Sequence, residues 1–251
     1  MGLALAAASA GAAPPVELEQ LTWTELRERV AGGATVALVP LGGTEQNGPH
    51  MVLGKHNVRV RVLAGRIARE LGNAIVAPVL AYVPEGSIEP PQAHMRWPGT
   101  ISIPEPAFEA LLDGSARSLC RAGFRDVVLL PDHGGYLKSI ERVAARPGRP
   151  AGCRVHALLD YYRATQGAYV AALAARGYRA EEIGSHAGLA DTSLALAADP
   201  ALVRSERLAQ TGPGEGVVGD PRRSSVELGQ LGLDQVVAAS VAAIRARLRG
   251  Q

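Results

Sequence analysis

Continuous apolar runs alternate along the chain with stretches whose apolar residues recur at helical spacing. Thr22 to Ala31 (TWTELRERVA) predicts a short helix, capped by Thr22 or Thr24, with acids early and Gly32-Gly33 as its stop. Thr35–Leu41 (TVALVPL) is an unbroken apolar run, rich in β-branched residues and bounded by glycines, which predicts a buried strand. His56 to Leu71 carries Val58, Val62, Ile67 and Leu71 near helical spacing, with Gly72 at its end. Ala74–Val83 predicts a second strand region, followed by a Pro/Gly-rich loop through Pro98. Pro106–Gly123 predicts a helix, Asp126–Leu130 a third strand, Leu137–Ala145 another helix and Cys153–Leu159 a fourth strand. Leu228–Arg249 predicts a closing helix whose start is weakened by Gly229 and Gly232.

Strand and helix in regular alternation predict a mostly parallel sheet covered on both faces. Ligand sites in such sheets lie beyond the carboxyl ends of strands. The polar, glycine-rich segments fall there, at Gly42–Asn57 and at Pro131–Tyr136. No internal repeat or interdomain linker interrupts residues 16–251, which read as a single α/β domain.

Composition adds limits. Of the 251 residues, 47% are hydrophobic but only 4% aromatic, so the core is built mainly from small aliphatic side chains. The net charge is +2, without the basic stripe and interleaved aromatics of a nucleic-acid binder. No stretch reaches the roughly 18 consecutive apolar residues of a membrane span. Cys120 and Cys153 are too few for a disulfide framework and read as two thiols, with a single bridge as the alternative if the protein is exported. Residues 1–15 (MGLALAAASAGAAPP) look like the back half of a secretory signal without its basic start. The expected location is therefore periplasmic or secreted, and otherwise cytoplasmic.

The histidines carry the chemistry. His50 lies in EQNGPH, His56 in GKHN and His133 in DHGG, while His94 precedes RWPGT and His186 opens HAGLADTS. Loops held by a rigid sheet are where binding residues concentrate. His156, inside a strand, reads as structural.

These stretches resemble the creatininase family. VPLGGTEQNGPHMVLGKHN is similar to the family's G-S/T-E-Q-H-G-P-H-L-P-L-x-T-D, HMRWPGTISI to H-x-x-F-P-G-T-I-S-L, and PDHGGY to N-G-H-G-G-N. SHAGLADTS matches H-A-G-E-x-E-T-S, and GVVGDPRRSS resembles a late G-V-x-G-D-P turn. The resemblance implies a three-layer α/β/α sandwich around a parallel sheet, a divalent metal centre and hydrolysis of a C–N bond in a cyclic or small amide. It also implies a homo-oligomer, a hexamer in the family's pattern, and leaves the substrate unspecified.

The family's first metal is held by positions that correspond here to Glu45, His56 and His133. Its second metal uses positions that become Asn47, again His56, and Gly135 or Asp191. Asn47 offers an amide oxygen in place of an imidazole, and His56 replaces a carboxylate able to bridge two ions. The expectation is one metal per chain on Glu45, His56 and His133, with Asn47 as a remnant of the second site. Two histidines and a carboxylate suit zinc with an open water position, and also Fe(II) or Mn(II). By resemblance, His186 transfers the proton to the leaving nitrogen. Asp191, which stands for the family's second glutamate, is expected to orient His186 or a water. His50 reads either as a substrate contact or as a turn stabiliser. His94 and Trp97 form a candidate wall over the site, and Glu85 and Glu89 are expected to solvate their loop. Gly134-Gly135 reads as a strand-to-helix turn, and Gly214, Gly216 and Gly219 as loop. Two competing readings are a binding or scaffold protein on the same fold and, from ligand type alone, a non-haem iron oxygenase.

Overall fold

A computed structural model of the protein describes residues 14–249. The first thirteen positions of the expected leader lie outside them. Helix α1 spans Trp23–Ala31, β1 Val36–Leu41, α2 Lys55–Leu71 and β2 Ala74–Val76. Helix α3 spans Glu105–Arg121, β3 Asp126–Pro131, α4 Leu137–Ala144 and β4 Arg154–Ala157. Helices α5 (Leu159–Gln166), α6 (Ala168–Ala174), α7 (Ala180–Ile183), α8 (Leu189–Ala198) and α9 (Ser205–Leu208) follow. Helix α10, Val226–Arg249, closes the chain.

The strands form one parallel sheet in the order β2-β1-β3-β4. Alternation along β1 sends Val36 and Leu38 to one apolar layer with α2, α8 and α10. Ala37, Val39 and Leu41 enter the opposite layer with α3 and α4. Helices therefore cover both faces of the sheet, the three-layer α/β/α arrangement expected from the alternation. Beyond β1 the chain turns to α2 on one face, and beyond β3 to α4 on the other. The loops after these neighbouring strands diverge and leave a crevice at their carboxyl ends.

Three expectations change. The second strand stops at Val76, because Pro78 has no N–H to donate to a ladder; Leu80 rejoins the β1 segment through two bonds, its N–H to the Pro40 oxygen and its oxygen from the Gly42 N–H. Gly229 and Gly232 sit inside α10 and let it approach α8: a Cβ on Gly229 would come within 1.8 Å of the Ser193 oxygen. They are packing residues, whose cost to the isolated helix is offset by that contact. Finally, Cys120 and Cys153 form a disulfide, joining the end of α3 to the segment before β4, where two thiols were expected.

Candidate metal centre

The site is assembled by pinning the loop after β1 to the first turn of α2 and to the end of β3. Asn57 accepts a bond from the Gly43 N–H at 3.0 Å, and a Cβ at Gly42 would fall 2.1 Å from its oxygen. The Tyr136 hydroxyl, just after β3, lies 2.7 and 2.8 Å from the Leu41 and Gly42 carbonyl oxygens and donates into them. This brings Glu45, His56 and His133 together. His56 Nε2 lies 2.8 Å from Glu45 Oε1, and His133 Nε2 lies 3.5 Å from Glu45 Oε2. One ligand atom from each residue lies within 4.8 Å of the others.

Two observations fit this set to a divalent cation. Glu45 is fully buried, yet its Oε2 has no hydrogen-bond partner. Burial opposes its ionisation, but His56, Lys55 and His133 outweigh that and hold the carboxyl far below its usual range. Behind His56, Asp132 Oδ2 lies 2.6 Å from Nδ1 and leaves Nε2 for a ligand bond. A carboxylate on the far nitrogen is the arrangement that fixes tautomer and orientation in metal-bound histidines. Asp132 is in turn held by Arg59 Nε at 2.9 Å and by the Tyr161 hydroxyl at 2.6 Å.

Glu85 was missed. It does not solvate its loop as Glu89 does; it is buried, with Oε2 3.3 Å from His133 Nδ1 and both oxygens without hydrogen-bond partners. A Cβ on Gly43 would lie 2.3 Å from its Oε1, so the glycine makes room for it. Burial and the negative Glu45 push its carboxyl up to about 9. The available hint was the missing acid at Gly135, next to His133; Glu85 reaches His133 from another loop.

The remaining residues separate into lining and support. Gln46, Lys55, His94, Trp97, His186 and Asp191 line a cavity of about 660 Å³ above Glu45, together with His56 and His133. His94 Nε2 is 3.1 Å from Glu45 Oε2, and His186 Nδ1 is 3.8 Å from Glu45 Oε1. Burial and the Lys55 ammonium hold His186 down at about 4, and burial, with His56, His94 and Lys55, takes His133 down to about 3 against the pull of Glu45. Asp191 does not touch His186. Its oxygens serve Lys55, Arg59 Nη1 at 2.7 Å and the Ala187 N–H at 3.0 Å, so it anchors cations instead of orienting the imidazole. His50 is fully buried and does not line the cavity, with Nε2 2.9 Å from Thr192 Oγ1. Asn47 spends its amide N–H groups on the Glu45 and Val52 carbonyl oxygens at 2.9 and 3.0 Å, holding the turn. His156 is structural, with Nε2 2.8 Å from Asp126 Oδ1. Gly216 is more than loop, since its carbonyl accepts a bond from Gln46 Nε2 at 3.0 Å.

A creatinine amidohydrolase family model matches residues 19–244. The creatinine amidohydrolase of Pseudomonas putida is 31% identical over 202 residues, covering 77% of this chain and 76% of that enzyme. The mycofactocin precursor peptide peptidase of Mycolicibacterium smegmatis is 34% identical over 125 residues, covering 47% of this chain and 48% of that one. Among solved structures, a creatininase variant in a Zn–Zn form superposes with a TM-score of 0.71 at 27% identity, covering 94% of this chain and 99% of that one. With this match, the parallel sheet and the buried Glu45–His56–His133 cluster at its crevice, the chain belongs to the creatininase family of metal-dependent hydrolases.

Proposed function

We propose that this hydrolase uses one divalent ion, zinc in the first instance, held by Glu45, His56 and His133, to cleave the C–N bond of a small or cyclic amide. The carrying observation is the buried Glu45 carboxylate, with Oε1 2.8 Å from His56 Nε2, its unpartnered Oε2 3.5 Å from His133 Nε2, and Asp132 behind His56. Such an ion lowers the pKa of water toward about 7 and polarises the amide carbonyl. His186 Nδ1 faces the cluster and takes the proton of the attacking water. It then returns that proton to the leaving nitrogen as the C–N bond breaks.

Charge supports one ion over two. With His56 and His133 as neutral ligands, Glu45, Asp132 and Asp191 oppose the Lys55 ammonium and the Arg59 guanidinium, leaving one negative charge. Lys55 Nζ, 3.6 Å from Glu45 Oε1, already sets a cation against that oxygen. One divalent ion takes the site to a single positive charge, whereas a second would take it to three in a buried site.

The cavity of about 660 Å³ lies within the usual range for drug-sized ligands, which supports an amide bearing a substituent against Trp97. Release of ammonia or amine from a panel of lactams and small amides, assayed with zinc-loaded and chelated protein, tests this reading. Zinc-dependent turnover that disappears in His133→Ala is the expected result; equal turnover after chelation contradicts it. The Cys120–Cys153 bridge supports an oxidising, periplasmic or extracellular location. Family resemblance supports a homo-oligomer, and light scattering on the purified chain measures its size.

A further inference from the structure

Gln46 touches two of the imidazoles near Glu45, those of His94 and His186, and its own orientation is fixed by backbone. Its Oε1 accepts from the Gly48 N–H at 2.9 Å, so the oxygen cannot be exchanged with the nitrogen. Its Nε2 donates one hydrogen to the Gly216 oxygen at 3.0 Å. The close fit depends on glycine at 216, where a Cβ would lie 1.9 Å from Gln46 Oε1. Gln46 Nε2 lies 3.1 Å from both His94 Nδ1 and His186 Nε2; because the His186 Nε2–H is given to the Gln46 main-chain oxygen, the second amide hydrogen goes to His94 Nδ1. An amide N–H only donates, so His94 Nδ1 is a lone pair and its proton sits on Nε2. His186 has the opposite constraint: its Nε2 lies 2.9 Å from the Gln46 main-chain oxygen, which only accepts. The proton of His186 therefore sits on Nε2, and Nδ1 is the free acceptor.

We infer that Gln46 is a positioning residue, which makes His94 present a donor and His186 an acceptor to the same reacting amide. The inference rests on the amide-hydrolase reading above. His94 Nε2–H, 3.1 Å from Glu45 Oε2, faces the cavity as a hydrogen-bond donor. His186 Nδ1, 3.8 Å from Glu45 Oε1, faces it as a base. Amide hydrolysis uses both. As water oxygen bonds to the carbonyl carbon, its proton passes to His186 Nδ1 while the carbonyl oxygen gains charge beside His94 Nε2–H. The C–N bond then breaks, with its electron pair going to nitrogen and the proton on His186 following. Reversing either tautomer removes one of the two functions while leaving the metal ligands in place.

The test is a long-range ¹H–¹⁵N correlation spectrum of the full-length, zinc-loaded protein labelled at histidine, with His94→Asn and His186→Asn used for assignment. The wild-type spectrum is expected to show His94 with an unprotonated Nδ1 and a protonated Nε2, and His186 with a protonated Nε2. In Gln46→Glu, whose ionised carboxylate only accepts, the proton of His94 is expected to move to Nδ1 while bound zinc stays at the wild-type amount. A protonated His94 Nδ1 in the wild type, or tautomers unchanged in a folded Gln46→Glu variant, overturns the inference. If that variant does not fold, the wild-type spectrum decides alone. Zinc content and amide turnover are measured separately, so loss of the hydrolase reading is distinguishable from loss of this one.

Discussion

Asp132 serves three groups at once: His56 Nδ1, the Arg59 guanidinium and the Tyr161 hydroxyl. Burial alone would raise its carboxyl, but Arg59 and His56 outweigh that and keep it low. Asp132→Asn is expected to weaken zinc binding about 10- to 100-fold, because the amide no longer fixes the tautomer of His56. It also leaves Arg59 short of a buried counter-charge, at a cost of about 3–5 kcal/mol in chemical denaturation. A variant with wild-type zinc affinity would mean that His56 is not a ligand. Lys55 makes a second residue-scale case. Lys55→Met removes a buried cation beside Glu45 and Asp191, so the metal-free form is expected to melt earlier and zinc to restore much of the difference. Equal melting losses with and without zinc would separate Lys55 from the metal centre.

Among the elements, α8 and α10 are joined by glycine contacts that let a helix backbone approach another closely. Gly229→Ala would place a Cβ 1.8 Å from the Ser193 oxygen, so the helices must separate. The expected loss is about 1–3 kcal/mol, read as a lowered denaturation midpoint with the zinc content unchanged. Strands and the first helices were legible because β1 and β3 are buried on both faces and so read as uninterrupted apolar runs. Helices α5 to α9 were not, since α8 is apolar nearly all round its buried face and the others are short. Glycines in α10 looked like defects because their partner, the Ser193 carbonyl, lies on another element. The same limit hid Glu85. Its role depends on a loop folding back to His133, and nothing local to VPEGS announces that.

At the scale of the whole molecule, the order β2-β1-β3-β4 opens a crevice between β1 and β3; Glu45 and His133 occupy the loops that diverge there, and His56 the first turn of α2 beside them. The motifs made Glu45, His56 and His133 readable from sequence, while the Asp132 and Glu85 carboxylates behind them required the fold. The Cys120–Cys153 link closes 33 positions of chain between α3 and β4. Replacing both cysteines by serine is expected to cost about 3–4 kcal/mol through the freed unfolded chain. Unchanged stability in non-reducing buffer would show that the bridge does not form in solution.

The central claim is a single divalent ion on Glu45, His56 and His133, and metal analysis of the purified, zinc-loaded and dialysed chain tests it most directly. The account predicts one tightly held ion per chain, lost in His56→Ala and in His133→Ala; two tightly held ions per chain, or none at any pH, would contradict it.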